Sequence, residues 1–170
     1  MKKMMNILKI SVLILFVGII ASCNKDVEDP YAAYTPEREA GLIKDWLAAM
    51  VTKGNDIDTT DTGLFYINDT TKVGSGPTVI AGNTVTVKYT GMYLDGQIFD
   101  ASAYHGDGTY TYKHKTDALI QGWEEGIEVL SKGGGAAFLI PSAKAYGVTG
   151  QGPIPPNTPL IFIIEVLDIK

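Results

Sequence analysis

A chain of 170 residues, 45% hydrophobic and 19% charged, has room for one ordinary globular core besides whatever its N-terminus does. Its formal net charge of −5 disfavours nucleic acid and anionic lipid as partners. One cysteine excludes an internal disulfide, and two histidines without Cys, Asp or Glu at ligand spacing exclude a zinc centre.

The chain starts MKKMMNILK, which places Lys2, Lys3 and Lys9 ahead of the uncharged run Ile10 to Ala21. That run is about half of what a bilayer span needs, so residues 1–22 read as a signal peptide and not as a transmembrane helix. It ends in Ile20-Ala21-Ser22-Cys23, which resembles the lipobox of bacterial lipoproteins. The resemblance implies cleavage before Cys23 and acylation of its sulfur, usually with acylation of the new amino terminus as well. The alternative is an ordinary secretory site with Cys23 as a stray thiol. Removing residues 1–22 takes three of the 14 cations and none of the 19 acids, leaving 11 against 19, a net of −8. Two or three acyl chains anchor a protein stably without spanning the membrane. The expected location is therefore extracytoplasmic, lipid-anchored to a bacterial membrane, with the outer membrane favoured and surface exposure open.

Residues 23–34 read as a tether, because Asn24 to Asp29 (NKDVED) is short, polar and acidic, and Pro30 follows. Acids just after a lipidated cysteine resemble the surface-export signals of some Gram-negative lipoproteins; any solvated linker has the same composition. Residues 35–60 hold a helix and a linker. Thr35-Pro36-Glu37 supplies an N-cap, a proline at the first helical position and an acid in the first turn. Leu42, Ile43, Trp46, Leu47 and Met50 recur at helical spacing until Gly54. This amphipathic stripe is expected to pack on the following domain, with dimerisation as the alternative.

From residue 61 to 170 short β-rich runs alternate with glycine: Leu64 to Ile67, Thr84 to Tyr89 with period two, and Leu160 to Ile169. One helical segment, Ala118 to Leu130, carries Leu119, Ile120, Trp123, Ile127 and Leu130 on a shared face. The implied architecture is α+β: an antiparallel sheet wrapped around one short helix.

Familiar catalytic sets are missing from this stretch. Gly133-Gly134-Gly135 lacks the Lys-Ser/Thr of a phosphate loop, and no serine stands in a nucleophile-elbow context. Glu124 and Glu125 are adjacent on a helix and point apart, which reads as a solvated face and not as a catalytic pair. No cofactor or metal is expected. What remains is a surplus of aromatic residues beside turns and strands: Tyr89, Phe99, Tyr110, Tyr112, Trp123, Tyr146 and Phe162.

Three blocks carry these aromatics: VTVKYTGMYLDGQIFDAS (Val85 to Ser102), LIQGWEEGIEVLSKGG (Leu119 to Gly134) and FLIPSAKAYGVTGQGPIPPNTPLIFIIEVLDI (Phe138 to Ile169). In this order and spacing the chain resembles the FK506-binding-protein family of peptidyl-prolyl isomerases from about Asp61 to Lys170. The resemblance implies a half-open antiparallel sheet of about five strands curled around the Ala118 to Leu130 helix, with an apolar pocket between them. It places Tyr89, Phe99, Asp100, Ile120, Trp123, Tyr146 and Phe162 in the catalytic pocket, and Tyr110, Leu119 and Ile154 among substrate contacts. Trp123 would be the floor and Tyr89, Phe99 and Phe162 the walls. The Ile120 N–H and the Tyr146 hydroxyl would bind substrate carbonyls, and Asp100 would act on the rotating amide. Proline-containing polypeptides are the implied substrates and FK506- or rapamycin-type compounds the implied ligands. One departure stands out: the arginine that often pairs with the aspartate in this family is missing from Ala101 to Gly108 (ASAYHGDG), which leaves the support of Asp100 open.

Overall fold

The computed structural model describes residues 28–170. The expected signal peptide, Cys23 and the first part of the tether lie outside the described residues. Helix α1 (Pro36–Thr52) begins at the Thr35 cap, whose side chain accepts from the Arg38 N–H. Its apolar stripe from Leu42 to Met50 is half-buried, so the helix lies against the domain without being engulfed by it. No helix among the described residues is long and apolar enough to cross a membrane.

The strands follow as β1 (Asp58–Thr59), β2 (Phe65–Asn68), β3 (Ser75–Thr78), β4 (Thr84–Tyr93), β5 (Ile98–Ala101) and β6 (Tyr110–Lys113). After the short helix α2 (Gln121–Ile127) come β7 (Ser131–Lys132), β8 (Gly135–Ile140) and β9 (Leu160–Ile169). The main sheet is antiparallel in the order β1-β2-β8-β9-β4, and both β5 and β6 pair with the outer side of β4. β6 takes Thr84 to Val87 and β5 takes Thr90 to Met92, so the two lie end to end along one position. The expected five strands are therefore β2, β8, β9, β4 and this interrupted fifth, with the two-residue β1 added at the far edge. β3 and β7 form a separate small ribbon.

Alternation explains which face curls inward. Val85 and Val87 of β4, and Leu160, Phe162, Ile164 and Val166 of β9, are all buried on the concave side with Phe138 and Ile140 of β8. Helix α2 lies against β8 through two glycines. A Cβ on Gly122 would come within 2.3 Å of Ile140 Cγ2, and one on Gly126 within 2.8 Å of Phe138 Cδ1. A helix of seven residues has no stability of its own in water, so this contact holds it. It is shorter than the apolar spacing suggested. Ile120 sits in an extended conformation at its N-cap, and Val129 and Leu130 close tight turns onto Gly126 and Ile127.

The expectation that Glu124 and Glu125 form a solvated face is overturned. Their side chains are 12% and 14% exposed, Glu124 facing Lys115 at 3.6 Å and Glu125 pairing with Lys144 at 2.7 Å. Lys115, in the turn after β6, lies over Glu124, and Lys144 lies over Glu125, to which the hydroxyls of Thr60 and Thr62 also donate. The two acids do point apart, as adjacent helical positions must.

Because the α2–β8 contact leaves no room for a methyl group, Gly122→Ala should destabilise the domain by about 1–3 kcal/mol in urea unfolding. Unchanged stability would mean that α2 does not lie on Ile140.

Candidate active site

The pocket opens between α2 and the concave sheet face, with a volume of about 600 Å³. Tyr89, Phe99, Asp100, Tyr110, Leu119, Ile120, Trp123, Tyr146 and Phe162 all line it, together with Gln151. Nine of the ten residues that the family resemblance nominated for pocket and substrate contact thus come together here. Ile154 does not: its side chain is 6% exposed and packs in the core. A bridge between Gln151 and Ile154 turns that loop so that the glutamine faces the pocket and the isoleucine faces inward.

At the bottom lies Trp123, 4% exposed. Its indole Nε1–H donates to the Tyr112 hydroxyl at 3.0 Å, a buried bond that fixes the ring plane. Tyr89 and Phe162 meet that ring edge-on, with centroids 5.3 and 5.4 Å away and interplanar angles of 84°. Tyr112 and Tyr110, two apart on β6 and so on one face, stack at 5.5 Å and 13°. Such pairs are worth about 0.5–1.5 kcal/mol each beyond burial, which makes the pocket a preformed apolar surface. Tyr112 belongs to the site as the support of the indole. The period-two YTY pair was its sequence signal.

Phe99 and Asp100 are consecutive, and in a regular strand they would point to opposite faces. The β4–β5 register pairs Gly91 with Asp100 but Met92 with Ile98, so Phe99 is the extra residue of a bulge and both side chains reach the pocket. Gly91 completes the arrangement. A Cβ there would stand 2.7 Å from Phe99 Cζ and 2.9 Å from Phe162 Cε1, and its absence lets the two rings meet at 5.7 Å. Where β5 leaves β4, the buried Ser102 hydroxyl takes over as acceptor for the Tyr89 N–H at 3.1 Å.

The missing arginine has a substitute. His105 Nε2 lies 2.7 Å from Asp100 Oδ1, and the Tyr89 hydroxyl donates to Oδ2 at 2.7 Å. A carboxylate only accepts, so the bonded imidazole nitrogen carries the proton. Burial alone would raise the Asp100 pKa, but the bonds from Tyr89, His105 and the Ala101 N–H outweigh it and hold the carboxyl below the ordinary aspartate range. The same contact works in reverse on Tyr89, whose phenol is pushed upward by burial first and by Asp100 next. His105 was invisible to motif matching because the turn Ser102–Tyr104, not a strand, returns it to Asp100.

Two donors at the rim stand apart. The Ile120 N–H and the Tyr146 hydroxyl have no acceptor among the described residues, while both residues line the cavity. No group of three or more metal-ligating side chains occurs among the described residues.

The model of the family described as FKBP-type peptidyl-prolyl cis-trans isomerase matches residues 76–167. Over 127 residues the chain is 40% identical to a probable FKBP-type peptidyl-prolyl cis-trans isomerase of Haemophilus influenzae. That match covers 74% of this chain and 51% of the relative, so the chain spans about half the length of that curated relative. Crystallographic FkpA from Escherichia coli superposes with a TM-score of 0.64 at 32% identity, covering 79% of this chain and 62% of that one. A peptidyl-prolyl cis-trans isomerase from Pseudomonas syringae pv. tomato gives 0.65 at 27% identity, over 80% and 96%. With more than half of its residues inside the family match, this chain belongs to the FKBP-type peptidyl-prolyl cis-trans isomerases.

Proposed function

We propose that this chain catalyses cis/trans isomerisation of X-Pro peptide bonds in extracytoplasmic polypeptides, assisting their folding from a lipid anchor on Cys23. The observation that carries the catalytic half is the pairing of an apolar aromatic pocket with two unpartnered donors at its rim, the Ile120 N–H and the Tyr146 hydroxyl. A buried or rim donor without an acceptor suits a ligand carbonyl.

Rotating a peptide bond costs about 18–20 kcal/mol because planarity preserves resonance. The twisted transition state has lost that resonance and much of the amide dipole, so it suffers less than the planar ground state on leaving water. An apolar pocket therefore favours the transition state selectively. At about 1.4 kcal/mol per tenfold, a barrier lower by roughly 7 kcal/mol gives about five orders of magnitude. On this reading the pyrrolidine ring rests on Trp123 between Tyr89, Phe99 and Phe162. Substrate carbonyls take the Ile120 N–H and the Tyr146 hydroxyl, and Asp100 faces the rotating amide as a fixed negative charge. An FK506-type macrolide would compete for the same walls.

A binding module with little turnover is the rival reading, and its support was an aspartate left without a partner. The His105 contact removes that support.

In a proline-isomerisation assay, Phe162→Ala and Asp100→Val should each lose at least about tenfold in kcat/KM, and an FK506-type ligand should inhibit the unmodified chain. Circular dichroism shows whether each variant stays folded, since a buried Phe→Ala change costs about 3–5 kcal/mol. Wild-type rates in both folded variants would refute the site.

A carboxyl held below its ordinary range contributes stability above that range and loses it as pH falls through the folded value. Replacing His105 with alanine removes one stabilising bond, so the Asp100 titration followed by carboxyl NMR should move upward. An unmoved titration would contradict the pairing.

For the anchor, mass spectrometry of the mature amino terminus should find Cys23 as the first residue carrying acyl chains; an unmodified Cys23 would remove the membrane half of the proposal.

A further inference from the structure

The only buried residue of α1 is a carboxylate. Glu39 is 9% exposed, whereas the apolar stripe beside it is only half-buried. Taking a carboxylate out of water is unfavourable unless hydrogen bonds replace its hydration. Here both replacements come from one residue 103 positions away: the Ser142 N–H donates to Oε1 and the Ser142 hydroxyl to Oε2, each at 2.6 Å.

Ser142 opens the one-turn 3-10 helix Ser142–Lys144 at the root of the loop that carries Tyr146. Its carbonyl accepts from the N–H groups of Ala145 and of Gly147, both at 2.8 Å. Tyr146 is thus slung between two residues whose amides end on the same oxygen, and the position of the Ser142 peptide sets the position of the phenol. A second tie runs to the other side of the loop. The Asn157 side-chain amide donates to the Tyr34 carbonyl at 2.6 Å, and the Asn157 N–H donates to the Gly147 carbonyl at 2.9 Å. Tyr34, just ahead of the Thr35 cap, and Glu39, in the first turn of α1, therefore hold the loop on both flanks of Tyr146. From the opposite side Lys144 anchors it, pairing with Glu125 of α2 and donating to the carbonyl and hydroxyl of Thr62.

We propose that α1 is a brace for the isomerase pocket, with Glu39, through Ser142, as a positioning residue that holds the Tyr146 hydroxyl where a substrate carbonyl binds. The inference rests on the reading of Tyr146 as a substrate contact. It makes a helix lying wholly before the family-matched residues 76–167 part of the binding unit. The bond that Tyr146 makes is present in ground and transition states alike, so losing its position weakens binding and leaves turnover alone.

The test is steady-state isomerisation of a proline-containing tetrapeptide by the full chain and by Glu39→Ala, Glu39→Gln, Tyr146→Phe and the Glu39→Ala/Tyr146→Phe double variant. Glu39→Ala should raise KM about tenfold with kcat nearly unchanged. Glu39→Gln should recover most of the loss, because its amide can accept from the Ser142 N–H and donate to the hydroxyl. The double variant should be no worse than Tyr146→Phe alone, since both changes remove the same contact. Lys44→Ala on the exposed face of α1 should behave as the unmodified chain. If Glu39→Ala does not fold, Ser142→Ala keeps the backbone bond, loses the hydroxyl, and should show a smaller rise in KM. Raised KM for Tyr146→Phe beside an unchanged folded Glu39→Ala, or effects of the two that multiply, overturns the brace alone. Wild-type KM for Tyr146→Phe overturns the substrate-contact reading and the brace together.

Discussion

The site is organised by the need to keep an indole inside an apolar core with its one polar atom satisfied. An unpaired buried donor costs about 1–3 kcal/mol, and the Tyr112 hydroxyl meets the Trp123 N–H directly. That bond fixes the plane of the indole, and the plane fixes the rest. Tyr89, Tyr110, Tyr112 and Phe162 all meet Trp123 at steep angles between 71° and 84°. Their arrangement draws on β4, β6 and β9, so the pocket inherits the register of the sheet. Helix α2 brings Trp123 to this point only because Gly122 and Gly126 let it settle on β8.

Against this fixed floor, the polar groups are arranged around the rim by irregularities of the chain. The bulge at Phe99 turns two consecutive side chains to one face. The break between β5 and β6 allows His105 to reach back to Asp100 while Tyr110 resumes the strand beside Trp123. Tyr146 comes from a loop tied to α1 and α2 at once. Apolar walls thus come from regular structure and polar contacts from its interruptions, which is where backbone groups are free to face a ligand.

Regular elements were the legible part. The cap and stripe of α1 and the apolar run of β9 located those elements closely, and the period-two pattern of β4 found its start but not its last four residues, because each signal lies within a few neighbouring residues. Helix α2 was read too long, since Leu119, Ile120 and Leu130 keep helical spacing while the backbone has already left the helix. The bulge was not legible, because it exists only in the pairing of β5 with β4. The same holds for His105, which meets Asp100 through a turn, and for Glu39 and Ser142, which are joined across the whole domain. Ile154 was misplaced because its neighbourhood of glycines and prolines sets no periodic face; the Gln151–Ile154 bridge decides it. Glu124 and Glu125 looked solvated because helical spacing does not show the lysines that fold over them, Lys115 from the turn after β6 and Lys144 from beyond β8.

The central claim is that a dry aromatic pocket promotes rotation about the amide without moving a proton. Comparing kcat/KM for a proline peptide in H₂O and D₂O tests it most directly. Twisting by desolvation gives a ratio near unity; a rate severalfold slower in D₂O would mean that a proton is in flight in the transition state, and that Asp100 or Tyr146 acts as an acid or base.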